Sequence, residues 1–310
     1  MELMKTLKIL VFKKSIIQFL KCICVFLVTN VTIAQSRYLN LDVENDLYFL
    51  TDEYYSSGIF IEKGKLIQND SIRKIKTLEL GQEIYTPSDT DSKDFENFDY
   101  PFGGWTFLKY ALQRGKKNNS FFEYGFQIGF TGEWSLADKI QNIYHKKIIN
   151  ADIPSWEAQI PNAVHFNFFT SYYHQSLISQ KIFFYRKYKG ILGTQRISVE
   201  ANYGLNYGIN VNDKIFNPLY LNSKGLGLYF GVNPSFIFHD FMLSGEGFQK
   251  EDALFTVKSK ALRLILDLGL SYRVKNWKFI FIYKNRTPDN FIQPKKQHHY
   301  NKLSVSYFFK

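Results

Sequence analysis

Cysteine is almost absent from this 310-residue chain, and both copies lie at its amino terminus. Cys22 and Cys24 fall within residues 1–34, which have the features of an export signal. Several lysines precede or interrupt an apolar run over residues 16–31, and Ala34 provides a small residue for cleavage. The exported chain, residues 35–310, is therefore expected to have no cysteine. This excludes disulfides, thiolate metal ligands and a cysteine nucleophile.

Long hydrophobic runs are equally scarce. Lys21 and Asn30 interrupt the amino-terminal run, which makes it a poor transmembrane helix, and no later segment is long and apolar enough. Aromatic residues are nevertheless abundant, with 30 Phe and 21 Tyr. Many aromatics without long apolar runs are typical of a transmembrane β-barrel, in which strands alternate apolar and polar residues between aromatic girdles.

The charge balance is strongly basic. The whole chain carries a net charge of +11, and residues 1–34 hold five lysines and one glutamate, which leaves +7 for the exported part. Such an excess favours an anionic partner: a phosphorylated glycolipid, an acidic lipid surface or a nucleic acid. Export argues against nucleic acid, and a basic surface without a specific partner is the alternative.

Twelve segments alternate with the period of a β-strand. In residues 38–44, Leu39, Leu41 and Val43 fall on one face and polar residues fall on the other. The other segments are residues 54–64, 74–85, 104–114, 120–132, 160–178, 195–208, 222–231, 235–246, 260–273, 276–286 and 298–309. An even number of strands suits a bacterial barrel.

We therefore predict an all-β fold, a transmembrane antiparallel β-barrel of about 12 strands, formed by residues 35–310 as one domain. Long connections over residues 86–103, 135–157 and 286–297 are expected on the extracellular side, opposite short turns. A soluble β-sandwich is the alternative. It would need a hydrophobic core on one face and would not favour so many aromatics.

Residues 135–150 are the one stretch of the exported chain predicted to form a helix, and they would place it in an extracellular loop. Gln141 and His145 lie one turn apart, so their side chains share a face. Ser135 suits the N-cap, and Pro154 prevents continuation. A polar pair presented by a lone helix favours a functional site, and the alternative is a surface helix with an incidental histidine.

Five other segments occur in order around this helix. They are Glu44-Asn45-Asp46, Thr51-Asp52-Glu53-Tyr54-Tyr55-Ser56-Ser57-Gly58, Ile84-Tyr85-Thr86-Pro87, Asp99-Tyr100-Pro101-Phe102-Gly103-Gly104-Trp105 and Trp156-Glu157-Ala158-Gln159-Ile160. With the Gln141–His145 pair they resemble the lipid A 3′-O-deacylase (LpxR) family of outer-membrane enzymes. The match runs through residues 40–165 and returns weakly at residues 285–291.

The resemblance implies a twelve-stranded barrel in the bacterial outer membrane, with an active site between the wall and a loop helix near the outer leaflet. The implied activity is Ca²⁺-dependent hydrolysis of the acyl ester at the 3′ position of lipid A, which removes the 3′-linked acyloxyacyl chain. The expected partners are then the membrane and the lipid A or lipopolysaccharide of its outer leaflet, with no nucleic acid. A monomer is expected.

The resemblance also assigns roles to individual residues. Asn45 and Asp46 match an Asn-Asp pair associated with metal and substrate. Ser56 stands where the family has Thr or Ser in the site, which makes it a candidate catalytic residue with Gln141 and His145. Gln141 and His145 match the helix pair, with His145 as the catalytic base.

Other positions depart from the family pattern. Asp152 matches an acidic residue after the helix only with a one-residue shift, and it is a further candidate metal ligand. Tyr100 stands where arginine is frequent, and the loop that often supplies basic residues is acidic here. Lys93 and Lys146 are the candidates for binding substrate.

The chemistry of these residues agrees with ester hydrolysis. A neutral imidazole accepts a proton from water at physiological pH. The candidate metal ligands offer only oxygen atoms, a set that suits Ca²⁺ better than Zn²⁺. The sequence contains no Gly-x-Ser-x-Gly elbow, so it does not indicate a serine hydrolase of that type. A non-enzymatic barrel, either a pore or a degenerate relative, and an outer-membrane phospholipase are the alternatives.

Overall fold

The structure is a computed structural model that describes residues 37–49, 51–68, 72–116, 120–208, 225–246 and 253–309. The predicted export signal, residues 1–34, lies outside these ranges. Within them, none of the helices combines the length and the apolar character needed to cross a bilayer.

Twelve antiparallel strands close into a barrel, which confirms the predicted fold class and number of strands. Each strand pairs with its neighbours in sequence, and β1 closes the ring by pairing with β12. The strands are β1 (Arg37–Asn45), β2 (Tyr54–Gln68), β3 (Ile72–Thr86), β4 (Gly103–Lys116), β5 (Ser120–Thr131), β6 (Val164–Ser179), β7 (Ile182–Gly193), β8 (Arg196–Gly208), β9 (Gly225–Asp240), β10 (Leu262–Val274), β11 (Trp277–Arg286) and β12 (His298–Phe309).

One strand was missed and another was predicted as two, so the errors cancel in the count. Strand β7 was not predicted, because Phe183 and Phe184 place aromatic rings on both of its faces and Lys187 stands among inward residues, which obscures the alternation. Residues 222–231 and 235–246 were predicted as two strands, whereas Gly225–Asp240 form one.

Pro234 is the reason that β9 was divided, since proline cannot donate to a ladder and is uncommon in strand interiors. The structure accommodates it at a gap in pairing. The register with β8 passes from Glu200↔Ser235 directly to Tyr203↔Val232. Pairing with β10 continues through Leu264↔Pro234. Strand β9 therefore continues through the proline.

The odd-numbered strands end at one edge of the barrel, here named the loop end, where the long connections lie. Residues 87–102 join β3 to β4, residues 132–163 join β5 to β6, and residues 287–297 join β11 to β12. At the opposite edge, two residues suffice to join β6 to β7 and β10 to β11. This asymmetry is the one expected of an outer-membrane barrel.

The predicted helix is present in the β5–β6 connection, with a different internal structure. A 3₁₀ turn (Gly132–Ser135) leads into helix α1 (Ala137–Tyr144), which continues as a π-helical turn (His145–Ile149). Leu136, in left-handed conformation (φ 59°), occupies the N-cap position predicted for Ser135. Residues 132–149 are called the helical segment below.

Side chains fill the lumen near both ends. A cluster of mostly aromatic residues packs at the edge opposite the loop end: Tyr38, Ile75, Phe121, Tyr173, Tyr185, Tyr229 and Phe308. At the loop end, the short helix α2 (Phe241–Ser244) is buried among aromatic residues. Nearby, Arg263 lies 2.9 Å from Asp240 and 3.2 Å from Asp289. This filling is unlike the water-filled interior of a porin.

Candidate functional site

The start of the helical segment is fixed to the barrel wall by close backbone contact. A Cβ atom at Gly104 of β4 would lie 2.2 Å from Ser135 Oγ and 2.3 Å from Ala137 Cβ, so only glycine allows this approach. The Ser135 carbonyl accepts hydrogen bonds from Thr106 Oγ1 at 2.7 Å and from Gln82 Nε2 at 2.9 Å. The face that carries Gln141 and His145 is thereby held against the wall.

Three of the predicted site residues converge on one carboxylate, that of Asp52. Ser56 Oγ donates to Asp52 Oδ1 at 2.5 Å, and Gln141 Nε2 lies 3.0 Å from Oδ1 and 3.2 Å from Oδ2. His145 Nε2 lies 3.0 Å from Asp52 Oδ2. The Asp52 carbonyl in turn accepts from Thr86 Oγ1 at 3.0 Å, which fixes the residue to the end of β3.

The hydrogen bonds of His145 define its protonation. Its Nδ1 lies 2.5 Å from the Asp152 carbonyl oxygen, which can only accept, so Nδ1 carries a proton. Burial lowers the pKa of His145, but the hydrogen bonds to Asp52 and to the Asp152 carbonyl raise it by more, so the pKa lies above the ordinary 6.5. The imidazolium–carboxylate pair is the favoured state of this arrangement at acidic pH.

Asp46 lies beside this group, at the end of β1. Its Oδ2 accepts from Thr51 Oγ1 at 2.9 Å and from the Glu53 backbone N–H at 3.0 Å, and these two residues flank Asp52. Burial raises the pKa of the Asp46 carboxyl well above its usual range. Asn45 turns its Oδ1 toward the backbone N–H of Leu47 at 2.6 Å, which closes a local turn.

Two buried oxygens near Asp52 have no hydrogen-bond partner, Asp46 Oδ1 and Gln141 Oε1. Buried acceptors are costly when unpaired, and carboxylate and amide oxygens are ligands that Ca²⁺ prefers. Within the described ranges, no three His, Cys, Asp or Glu side chains are grouped to hold a metal ion. A calcium ion at these oxygens would therefore need hydroxyl, backbone or water ligands as well, and with that addition the residues fit it.

The remaining predicted residues lie at the edge of the site. The Asp152 side chain is exposed, and the residue contacts His145 through its carbonyl. Lys93 and Lys146 are also exposed. The loop that carries Lys93 packs against the segment after the helix, where Ser155 Oγ donates to the Ser92 carbonyl at 2.7 Å.

Asp52 is the residue that the sequence prediction missed. It lies in the segment 51–58 that carries Ser56, but nothing in that segment distinguishes it from the neighbouring Glu53. In the structure the two carboxylates differ: Asp52 faces Gln141 and His145, whereas Glu53 pairs with Lys295 at 2.6 Å. The contact between Asp52 and Gln141 spans 89 positions of sequence and depends on the folded barrel.

Comparison with known proteins agrees with this geometry. The model of a family described as outer membrane protein LpxR matches residues 20–309. The chain belongs to the LpxR family. It is accordingly an outer-membrane β-barrel protein, and the resemblance seen in the motifs of its first half extends over nearly its whole length. A search of curated protein sequences found no match.

Solved structures support the fold. LpxR from Salmonella typhimurium superposes with a TM-score of 0.71 at 19% identity, covering 88% of this chain and 100% of that one. The beta domain of the Bordetella autotransporter Brka has a TM-score of 0.50 at 9% identity (89% and 99% covered). The COG4313 outer membrane channel from Pseudomonas putida F1 also has 0.50 at 9% identity (90% and 97%). At these identities the likeness shows the fold alone.

Proposed function

We propose that this LpxR-family protein is a lipid A deacylase, which hydrolyses the acyl ester at the 3′ position of lipid A in the outer leaflet. Family membership supports the substrate class. The observation that carries the mechanism is the convergence of Ser56, Gln141 and His145 on Asp52 at the loop end of the barrel. The packed lumen argues against the alternative of a pore.

In this mechanism His145 is the general base. With Nδ1 held by the Asp152 carbonyl, Nε2 is the atom that takes a proton from water as the water oxygen attacks the ester carbonyl carbon. In the structure Asp52 lies 3.0 Å from Nε2, along its lone pair, so the water displaces this contact as it approaches, and the carboxylate then stabilises the imidazolium that forms. When the ester C–O bond breaks, His145 returns the proton to the departing alkoxide, which leaves a hydroxyl on the sugar and a free fatty acid.

Ser56 is not placed as a nucleophile. In a serine hydrolase the base histidine contacts the serine hydroxyl. Here the hydroxyl of Ser56 donates to Asp52 instead, and His145 contacts the same carboxylate from the other side. Ser56 and Gln141 orient Asp52, and water is the attacking group.

Calcium is the cofactor that we propose for this site. Asp46 and Gln141 would hold the ion through their unpartnered oxygens, together with Asn45. When bound, the ion would polarise the ester carbonyl. Asp152 acts on His145 through its backbone rather than through its exposed carboxylate. Lys93 and Lys146 are the cations proposed to contact the phosphates of lipid A.

Purified protein incubated with lipid A, and separately with a glycerophospholipid, tests this function by mass spectrometry of both products. Loss of one ester-linked acyl chain from lipid A, with the phospholipid intact, is the expected result. Release from the phospholipid instead would make the protein a phospholipase, and no release from either would remove the enzymatic proposal. A parallel reaction with excess chelator, restored by added Ca²⁺, tests the cofactor. Full activity after chelation would reject calcium while leaving hydrolysis in place.

A further inference from the structure

The helical segment exposes an apolar surface on the side away from the catalytic pair. Trp134, Leu136, Ile140, Ile143 and Ile148 are 56%, 48%, 39%, 59% and 49% exposed, respectively. Five large apolar side chains so close together on one loop are an unusual exposure for a surface in water. A surface of this kind indicates contact with an apolar medium or a partner.

The geometry of α1 separates this surface from the site. At about 100° per residue, Ile140 and Ile143 lie about 60° apart, whereas Gln141 lies about 100° from Ile140 and about 160° from Ile143. His145 follows Gln141 by one turn and faces the wall with it. The side of α1 that faces the wall is thus polar and carries the proposed catalytic pair, and the side that faces away from the wall is apolar.

Lysines flank the apolar residues. Lys139, Lys146 and Lys147 are exposed on the same short segment, and within it the only exposed acidic side chain is that of Glu133. Large apolar side chains, one of them a tryptophan, bordered by lysines are the pattern of a helix that lies in a membrane interface. Trp134, Leu136, Ile140, Ile143, Ile148 and these three lysines are called the docking face below.

The docking face continues the lipid-facing exterior of the wall. The 3₁₀ turn follows β5 directly, and the last outward residue of β5, Phe130, is 44% exposed. Its register partner Val164, which begins β6, is 58% exposed. The Trp134 backbone N–H donates to Asn162 Oδ1 at 3.1 Å, which ties the 3₁₀ turn to the chain just before β6.

We propose that the docking face is a membrane-binding surface that lies in the boundary between head groups and acyl chains of the outer leaflet. Its apolar residues contact acyl chains, and its lysines contact lipid phosphates. The inference rests on the continuity with the wall of an outer-membrane barrel and does not depend on the hydrolytic activity.

Spin labels on single cysteines test the placement directly. Because Cys22 and Cys24 lie in the predicted export signal, the exported chain needs no cysteine replacement, and a nitroxide is attached at Ile143→Cys, at Phe130→Cys on the wall and at Glu157→Cys in an exposed turn. The proteins are reconstituted in vesicles of phosphatidylcholine and phosphatidylglycerol, and folding is checked by heat-modifiable migration on gels. Accessibility to oxygen, which concentrates in the bilayer, is compared with accessibility to a water-soluble nickel complex.

The label at Ile143 is expected to behave like that at Phe130, with higher accessibility to oxygen than to nickel, and the label at Glu157 to show the reverse. A label at Ile143 that behaves like the one at Glu157 would overturn the proposal. So would dipolar broadening between labels at Ile143 on different molecules, because it would show that a second copy of the chain covers this face.

The contacts between the lysines and lipid phosphates are tested separately in the same experiment. A lysine near an anionic surface contributes about 1 kcal/mol, or about fivefold in an equilibrium. Oxygen accessibility at Ile143 should therefore fall when phosphatidylglycerol is omitted. It should fall by the same amount in the variant Lys139→Gln/Lys146→Gln/Lys147→Gln, which should no longer respond to the lipid charge. No effect of either change would reject the phosphate contacts.

Discussion

Replacing Asp52 by asparagine separates the roles that its carboxylate has in the site. Asparagine keeps the size and can still accept from Ser56 Oγ and from Gln141 Nε2, but it removes the negative charge 3.0 Å from His145 Nε2. A hydrogen bond to a charged group contributes about 1.5–3 kcal/mol. If that stabilisation applies to the imidazolium of the transition state, kcat/KM should fall roughly 10- to 150-fold.

The pH dependence distinguishes this role from a purely structural one. The proposed base, His145, can accept a proton only when neutral, so kcat/KM should decrease as the pH falls through its pKa, which Asp52 helps to hold above 6.5. In Asp52→Asn that pKa falls, so the acidic limb of the profile should move to lower pH while the maximum rate decreases. The assay is release of fatty acid from lipid A across the pH range, with detergent and calcium held constant.

Glu53→Gln is the matched control. Glu53 is adjacent in sequence and is buried, but its carboxylate pairs with Lys295 at 2.6 Å rather than with His145. This variant should leave the acidic limb where it is. An unmoved limb in Asp52→Asn, or an equal movement in Glu53→Gln, would refute the pairing of Asp52 with His145 as the cause of the raised pKa.

Three further predictions follow from the same contacts. Gln141→Ala should reduce the rate by less than His145→Ala, because an amide orients Asp52 but cannot accept a proton; equal losses in the same fatty-acid assay would contradict this. Gly104→Ala should displace the helical segment and lower activity while heat-modifiable gel migration stays normal, since its new Cβ would lie 2.2 Å from Ser135 Oγ; unchanged activity would show that the helix tolerates the shift. Because folding raises the pKa of His145, its ion pair stabilises the segment at pH below 6.5 and is lost as the pH rises through the raised value. Amide exchange of residues 137–149, corrected for intrinsic rates, should therefore be slower at the acidic pH, and no difference would argue against the pair.

The fold was largely predictable because period-2 alternation reports which side chains face lipid and which face the lumen. The prediction of strands failed where that rule has exceptions. Strand β7 carries aromatic rings on both faces, and β9 contains Pro234 at a gap in its ladder. Alternation also cannot show that side chains fill the lumen near both ends, since that depends on which strands face each other across the barrel.

The site was predictable only in part. The spacing of Gln141 and His145 was enough to predict that both face one target, since α-helical geometry fixes it. The target itself, Asp52, comes from a connection 89 residues away from Gln141, and the barrel register brings the two together. Helix spacing likewise gave no indication that the chain widens to a π turn at His145 and that the Asp152 carbonyl then caps the imidazole.

Release of the 3′-linked acyl chain by the wild-type protein, His145→Ala and His165→Ala tests the central claim most directly. His165 is also a buried histidine near the loop end, but it is held between Thr131 Oγ1 and Thr194 Oγ1 at 3.1 Å each. General-base catalysis supplies about 10²- to 10⁴-fold, so His145→Ala should lose about that much rate while its barrel still shows heat-modifiable migration, and His165→Ala should stay near the wild-type rate. Near-normal turnover by His145→Ala, or a larger loss in His165→Ala, would contradict the proposed mechanism.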